Sequence, residues 1–134
     1  MAQTQSPTIK LYRGAAEAIK GEASFSKFTH IALDEGDMSG FDEETNALAS
    51  ECSVSGLGRA AATVTNQTTT YTNDTVQAYK QFTAAGDATI TGFGVFDAGS
   101  GGNLLMWCAF AASLAIESGD KIACTGKAQF KLGV

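Results

Sequence analysis

The stretch from Ile90 to Trp107 constrains the fold more than any other part of the sequence. Two runs of apolar and small residues flank the glycine-rich sequence Gly99-Ser100-Gly101-Gly102. Apolar and β-branched residues favour strands, and glycines permit the positive φ angles that tight hairpin turns require. We therefore predict an antiparallel hairpin with strands at about 88–97 and 103–111, and with Gly99, Gly101 and Gly102 as structural turn residues.

The rest of the chain predicts further strands after a short helical start. Residues 122–132 alternate between apolar and polar side chains, which is typical of a strand packed on one face. Helix formers at 14–20 precede Gly21, a suitable C-terminal cap, and Asp42 is suited to cap a second short helix. We predict a mainly β protein, a single-domain antiparallel β-sandwich of the Greek-key or jelly-roll type, with one or two short N-terminal helices.

Length and composition favour one domain with its own core. The chain has 134 residues, of which 44% are hydrophobic. A chain of this size buries roughly two thirds of its surface on folding. We expect residues 1–12 to form a polar N-terminal arm and residues 13–134 a single β-sandwich domain. The predicted core residues are Phe93, Val95, Phe96, Leu104, Trp107 and Phe130.

Charge and cysteine usage exclude several classes of protein. The formal net charge is −5, and the nine basic residues do not cluster along the sequence, so we expect no nucleic-acid partner. No apolar run is long enough to cross a membrane, and the first eight residues do not resemble a signal peptide. Three cysteines without paired spacing suggest reduced or buried thiols in a protein made in a cytoplasm. A Cys108–Cys124 disulfide is the alternative.

The sequence contains no known pattern of catalytic, phosphate-binding or metal-binding residues. His30 is the only histidine, and the Gly99–Gly102 turn lacks the Lys-Ser/Thr that completes a phosphate-binding loop. The acidic residues at 34–44 do not have calcium-loop spacing, so they predict a solvated loop or a contact with a basic partner. We therefore expect no enzyme activity and no catalytic, metal or cofactor site.

Several stretches resemble small structural proteins of tailed-bacteriophage virions. They are residues 14–19, 28–36, 46–51, 90–105 and 118–120, which occur in the order typical of that family. Asp34-Glu35 departs from the pattern, which commonly has glycine and a small polar residue there, and the three cysteines do not belong to it. The resemblance implies a protein of the virion, described in such families as a head-decoration, collar or tail-fibre-like component.

From these observations we expect a non-enzymatic virion protein, made in the host cytoplasm, that binds the particle in many copies. A capsid decoration or cement protein is favoured, and a tail, collar or tail-fibre-like component is the alternative. The expected partners are major capsid or tail proteins and further copies of the chain, through residues 1–12, 34–44 and 66–75. A carbohydrate- or receptor-binding module is a third hypothesis, which would need Tyr71, Tyr79 or Trp107 exposed on one rim.

Overall fold

The computed structural model describes residues 3–131, which form eight strands and one helix. Within this range no helix has the length and apolar character needed to span a bilayer. The elements, in chain order, are β1 (Thr4–Pro7), α1 (Ile9–Lys20), β2 (His30–Asp34), β3 (Ala60–Ala61), β4 (Thr63–Gln67), β5 (Thr75–Thr83), β6 (Ala88–Phe96), β7 (Leu104–Ile116) and β8 (Lys121–Gln129).

The strands build two antiparallel sheets. The larger has the order β1-β7-β6-β2-β3, and the smaller has the order β4-β5-β8. Every strand pair is antiparallel. This arrangement confirms the predicted mainly β sandwich.

The predicted hairpin lies at the centre of the larger sheet. β6 and β7 pair from Ala88↔Ile116 to Phe96↔Leu104, and the turn between them has positive φ at Gly101 (59°) and Gly102 (73°). The register of the ladder shifts at two places: residues 110–113 of β7 lie opposite the single residue Thr91 of β6, and Leu105 of β7 is skipped between the pairs Val95↔Met106 and Phe96↔Leu104. β7 therefore consists of two paired parts joined by a four-residue irregularity.

The larger sheet is covered on both faces. On one face Phe93, Val95 and other buried side chains pack against the smaller sheet, which contributes Phe82, Ile122 and Cys124. On the opposite face a second cluster contains Phe96, Leu104, Trp107, Ala32 and Met38. Because the chain from 34 to 50 covers this second cluster, the hairpin has apolar residues on both of its faces.

Phe130 is not a core residue, contrary to the sequence prediction. Its side chain is 53% exposed. Alternate residues of β8 do face the interior, but β8 ends at Gln129, and the N–H of Phe130 donates to the Asp74 carbonyl at the end of the sheet. Phe130 therefore continues the alternation beyond the region where the sheets face each other. Leu132, from the same predicted pattern, lies outside the described residues.

The N-terminal segment is more ordered than predicted. β1 pairs with β7 through Thr4↔Ala109 to Pro7↔Met106, and α1 begins at Ile9, so the expected boundary at residue 12 falls inside the helix. Sequence reasoning placed the helix start at Gly14 because Ile9–Tyr12 also suits a strand. Packing of Leu11 into the core extends the helix toward its N-terminus. Gly21 caps α1 in the left-handed conformation, as predicted.

The second helix, predicted to begin at Asp42, does not form. Residues 42–50 consist of turns, in which the Asp42 carboxylate accepts a hydrogen bond from the Glu44 N–H at 2.8 Å. The N–H groups of Ala49 and Ser50 bind the Asp34 carboxylate instead of helical carbonyls. This long-range contact outweighs the local helical preference.

Candidate assembly surfaces

Hydrogen bonds of the Asp97 carboxylate hold one side of the glycine-rich turn at residues 99–102. The Asp97 carboxylate accepts hydrogen bonds from the Asn103 N–H (2.7 Å), the Asn103 side-chain amide (3.0 Å) and the Ser26 hydroxyl (2.8 Å). Burial acts to raise the pKa of Asp97, but these hydrogen bonds outweigh it and hold the pKa below its usual value. The carboxylate therefore closes the turn.

The Arg59 side chain also holds this turn, through hydrogen bonds to its backbone. Its guanidinium donates to the carbonyls of Ala98 (3.0 Å) and Gly101 (2.8 Å), and it forms a two-pronged ion pair with Glu51, with N–O distances of 2.6 and 3.0 Å. The guanidinium carbon also lies 3.7 Å from the centre of the Phe96 ring. Its hydrogen bonds go to atoms of the protein, so the arrangement is structural.

His30 lies beside this turn. Its Nδ1 is 2.9 Å from the Thr29 hydroxyl, and a side chain at Gly99 would contact its ring. Residues 3–131 contain no group of three or more metal-ligating side chains close enough to hold an ion. The histidine therefore packs against the turn and its neighbouring hydroxyl.

The three cysteines are free and buried in the structure, and the Cys108–Cys124 disulfide stays a prediction. Cys108 lies on the larger sheet and Cys124 on the smaller one. Both thiols belong to the core cluster between the sheets, and Cys108 is close enough to contribute to the raised pKa of Cys124. Burial raises the pKa of all three thiols, and that of Cys124 reaches about 12. The thiols therefore act as small core residues.

The acidic loop, residues 34–50, is a rigid surface built on one buried carboxylate. Asp34 is fully buried and accepts hydrogen bonds from the N–H groups of Gly36 (3.0 Å), Ser50 (2.8 Å) and Ala49 (3.0 Å). The Trp107 indole N–H donates to the Asp42 carbonyl at 2.9 Å and fixes the middle of the loop. The exposed carboxylates that the loop displays are Glu35, Asp37, Asp42, Glu43 and Glu44.

The threonine-rich segment, residues 66–75, includes the end of the edge strand β4 and the loop that leads to β5. β4 forms one edge of the smaller sheet, and residues 63–66 are exposed. Beyond it, the Asp74 carboxylate accepts hydrogen bonds from the N–H groups of Tyr71, Thr69 and Thr70, which lower its pKa. No charged residue occurs from Ala60 to Asn73. Charges and proline are common protection of sheet edges, and β4 has neither.

A third surface, which sequence reasoning missed, is an exposed apolar patch around α1. We define the helix patch as Tyr12, Ile19, Phe25 and Phe130, of which Ile19 is 87% exposed. Ile19, Phe25 and Phe130 line an almost entirely apolar groove of about 370 Å³, and Tyr12 and Phe130 line a neighbouring groove of about 240 Å³. The signal available in the sequence was the seven-residue spacing of Tyr12 and Ile19, which places both on one side of a helix that begins at Ile9.

Basic side chains surround the helix patch. α1 and the residues after it contribute Lys10, Arg13, Lys20 and Lys27, and the end of the chain contributes Lys127 and Lys131. The acidic residues of this region are Glu17, Glu22 and Asp97, of which Glu17 and Glu22 pair with Arg13 and Lys20 at 3.9 and 3.1 Å. Six basic and three acidic side chains give the region a local net charge of +3.

Comparison with known families gives a match over most of the chain. Residues 23–129 fit the family described as "Podophage GP4 fiber I protein gp80", which covers well over half of the chain. No curated protein matches. The family match confirms the resemblance to small structural proteins of phage virions. α1 and Phe130, which carry most of the helix patch, lie outside the matched range.

Proposed function

The chain belongs to this family of phage fibre proteins, and we propose that it is a non-enzymatic, tail-fibre-like component of the virion. The family match over residues 23–129 carries the proposal. That match supports a phage structural protein, and its description as a fibre protein favours the tail-fibre-like alternative over the capsid decoration that we preferred from the sequence. Nothing in the match supports decoration of the capsid.

A structural role in the virion is consistent with the hydrogen bonds of the buried and half-buried polar side chains, which stay within the protein. Asp34, Asp97 and Arg59 use their hydrogen bonds to hold loops against the sandwich. The exposed groups are apolar, acidic or threonine-rich surfaces, which suit contacts with other virion proteins and with further copies of the chain. Repeated weak contacts of this kind become firm when many copies act together.

The hypothesis of a carbohydrate- or receptor-binding module is weakened by Trp107. The module needs exposed aromatic residues on one rim, but Trp107 is only 4% exposed and packs edge-on against Phe41 with ring centres 5.6 Å apart. Tyr71 and Tyr79 are exposed, but they lie on a loop and on a strand of the smaller sheet. We therefore propose that Trp107 serves packing on the larger sheet, where it contacts Phe41.

The test is to locate the chain in purified virions. Particles are separated into heads and tails, each fraction is analysed by mass spectrometry, and an antibody against the chain is visualised by electron microscopy of intact particles. The proposal predicts enrichment with the tails and label at the tail. Enrichment with the heads would favour capsid decoration instead, and absence from the particle would refute a virion role.

A further inference from the structure

We infer that the helix patch of one copy docks against the acidic loop of a second copy, in a head-to-tail contact. This inference rests on the proposed function, because a virion component is present in many neighbouring copies. The partner of the helix patch is then a second copy of the same chain. Four observations carry it: exposed apolar area, local charge, a complementary acidic surface and the separation of the two surfaces.

Exposed large hydrophobic side chains concentrate around α1. Among residues 3–131, nine large hydrophobic side chains are exposed, and five of them lie on α1 or next to it: Ile9, Tyr12, Ile19, Phe25 and Phe130. Contiguous apolar surface is uncommon on monomeric proteins and marks binding sites, whereas scattered single residues do not. The grooves between these side chains give a partner a place to insert apolar groups.

The charge around the helix patch decides which kind of partner fits. With a local charge of +3, two helix patches facing each other would bring two basic rims together. Like charges at an interface oppose association, so an isologous contact through this surface is disfavoured. The remaining residues carry three basic and eleven acidic side chains. Another part of the same chain therefore offers the complementary charge.

The acidic loop is the densest source of that charge. Five exposed carboxylates occur between Glu35 and Glu44, and no lysine or arginine occurs from Phe28 to Gly58. Among the described residues none of these five carboxylates forms an ion pair. A groove of about 420 Å³ beside the loop, lined by Met38, Phe41, Trp107 and Phe110 among others, supplies apolar area next to the charges.

The acidic loop contacts the start of α1, whereas Ile19 and Phe25 of the helix patch lie at the other end of the helix, so one copy can use that part of the patch and its own acidic loop at once. The Ile9 N–H at the start of the helix donates to the Glu43 carbonyl at 2.9 Å, whereas Ile19 lies in the last turn. Twelve helical residues extend over about 18 Å. A contact between two different surfaces is heterologous, and it forms a ring if it closes and a filament if it does not.

The test uses two variants, each of which blocks one surface. Ile19→Glu changes the most exposed side chain of the helix patch, and the double variant E43K/E44K reverses charge on the acidic loop. Leu114→Ser, which removes an exposed apolar side chain elsewhere, is the matched control. All variants are checked for native circular dichroism and then studied by sedimentation velocity, at concentrations up to about 0.1 mM so that contacts of micromolar strength are detected.

We expect the wild type and Leu114→Ser to associate beyond dimers, and each blocked variant to lose association by at least about tenfold. An equimolar mixture of the two blocked variants should form a one-to-one dimer, because each keeps the surface that the other lacks. Association of the wild type should also weaken as salt rises. A monomeric wild type, unchanged association of Ile19→Glu, or no dimer in the mixture would overturn the inference. A tail location together with a monomeric protein would refute this contact and leave the proposed function intact.

Discussion

Removing the charge of Asp34 tests whether one buried carboxylate holds the acidic loop. In Asp34→Asn one oxygen can still accept hydrogen bonds, but the other position becomes an NH₂ group. The wild-type Oδ1 accepts from Gly36 and Ser50, and Oδ2 accepts from Ala49. The variant therefore keeps at most two of three bonds and places an N–H donor opposite the Ala49 N–H.

The size of the effect follows from the bonds that are lost. A hydrogen bond to a charged group contributes about 1.5–3 kcal/mol, so Asp34→Asn should lower the free energy of unfolding by about 2 kcal/mol. Asp34→Ala removes all three bonds. Its cost should be about 4 kcal/mol, less than three full bonds, because Ala49 and Ser50 lie at the surface, where water reaches their N–H groups.

Urea unfolding followed by Trp107 fluorescence measures both variants, since Trp107 is the only tryptophan and donates to the Asp42 carbonyl of the loop. For Asp34→Asn we expect the midpoint to fall by on the order of 1 M urea. Asp37→Asn is the control, because Asp37 is exposed and accepts one local bond from Ser39. A midpoint for Asp34→Asn within error of the wild type would refute the claim that the loop depends on this carboxylate.

Three further predictions concern the hairpin, the thiols and acid stability. Gly92→Ala should lower the free energy of unfolding by about 2 kcal/mol or more, because the new methyl group would meet the backbone of β7 and the Met38 sulfur. Gly58→Ala is the control in the same urea assay and should be close to neutral, because a methyl group at Gly58 would enter open space. The three buried cysteines should react with a thiol reagent such as DTNB only in denaturant; a fast equivalent in the native protein would contradict their burial. Because the pKa of Asp97 is lowered on folding, its contribution is present above about pH 4 and is lost as pH falls through its folded pKa. The difference in stability between wild type and Asp97→Asn, measured by urea unfolding across this range, should therefore shrink toward zero in acid, and a difference that stays constant would contradict this assignment.

The hairpin was predictable because its signals are local. The apolar runs and the glycine turn lie within twenty residues, and the structure places β6 and β7 as predicted, with β7 extended to Ile116. Gly92 and Gly94 of β6 allow a close approach of neighbouring groups, since a side chain at either position would meet atoms of the core. The last strand was found for the same reason, from its two-residue alternation.

The candidate surfaces were harder to predict because they depend on distant contacts. The loop at 42–50 has local helix signals, but Asp34 binds its N–H groups from another part of the chain. Phe130 follows the alternation of β8 and yet is exposed, because the facing sheet does not extend that far. The helix patch combines α1, Phe25 and Phe130, and no single sequence window contains these residues. Charge clustering was likewise invisible along the chain, since Lys127 and Lys131 lie far from Lys10 in sequence.

The groove between β1 and β8 affects how this protein can be labelled. Residues 5–7 and 127–130 line the same groove, beside the helix patch. A fluorescent protein or affinity tag fused before β1 or after β8 would therefore lie next to the surface that we propose for assembly. Either fusion would sterically hinder association through that surface. An epitope inserted at Ser118–Gly119, in the exposed turn between β7 and β8, avoids that groove. Imaging of the protein on particles is best designed around this internal position.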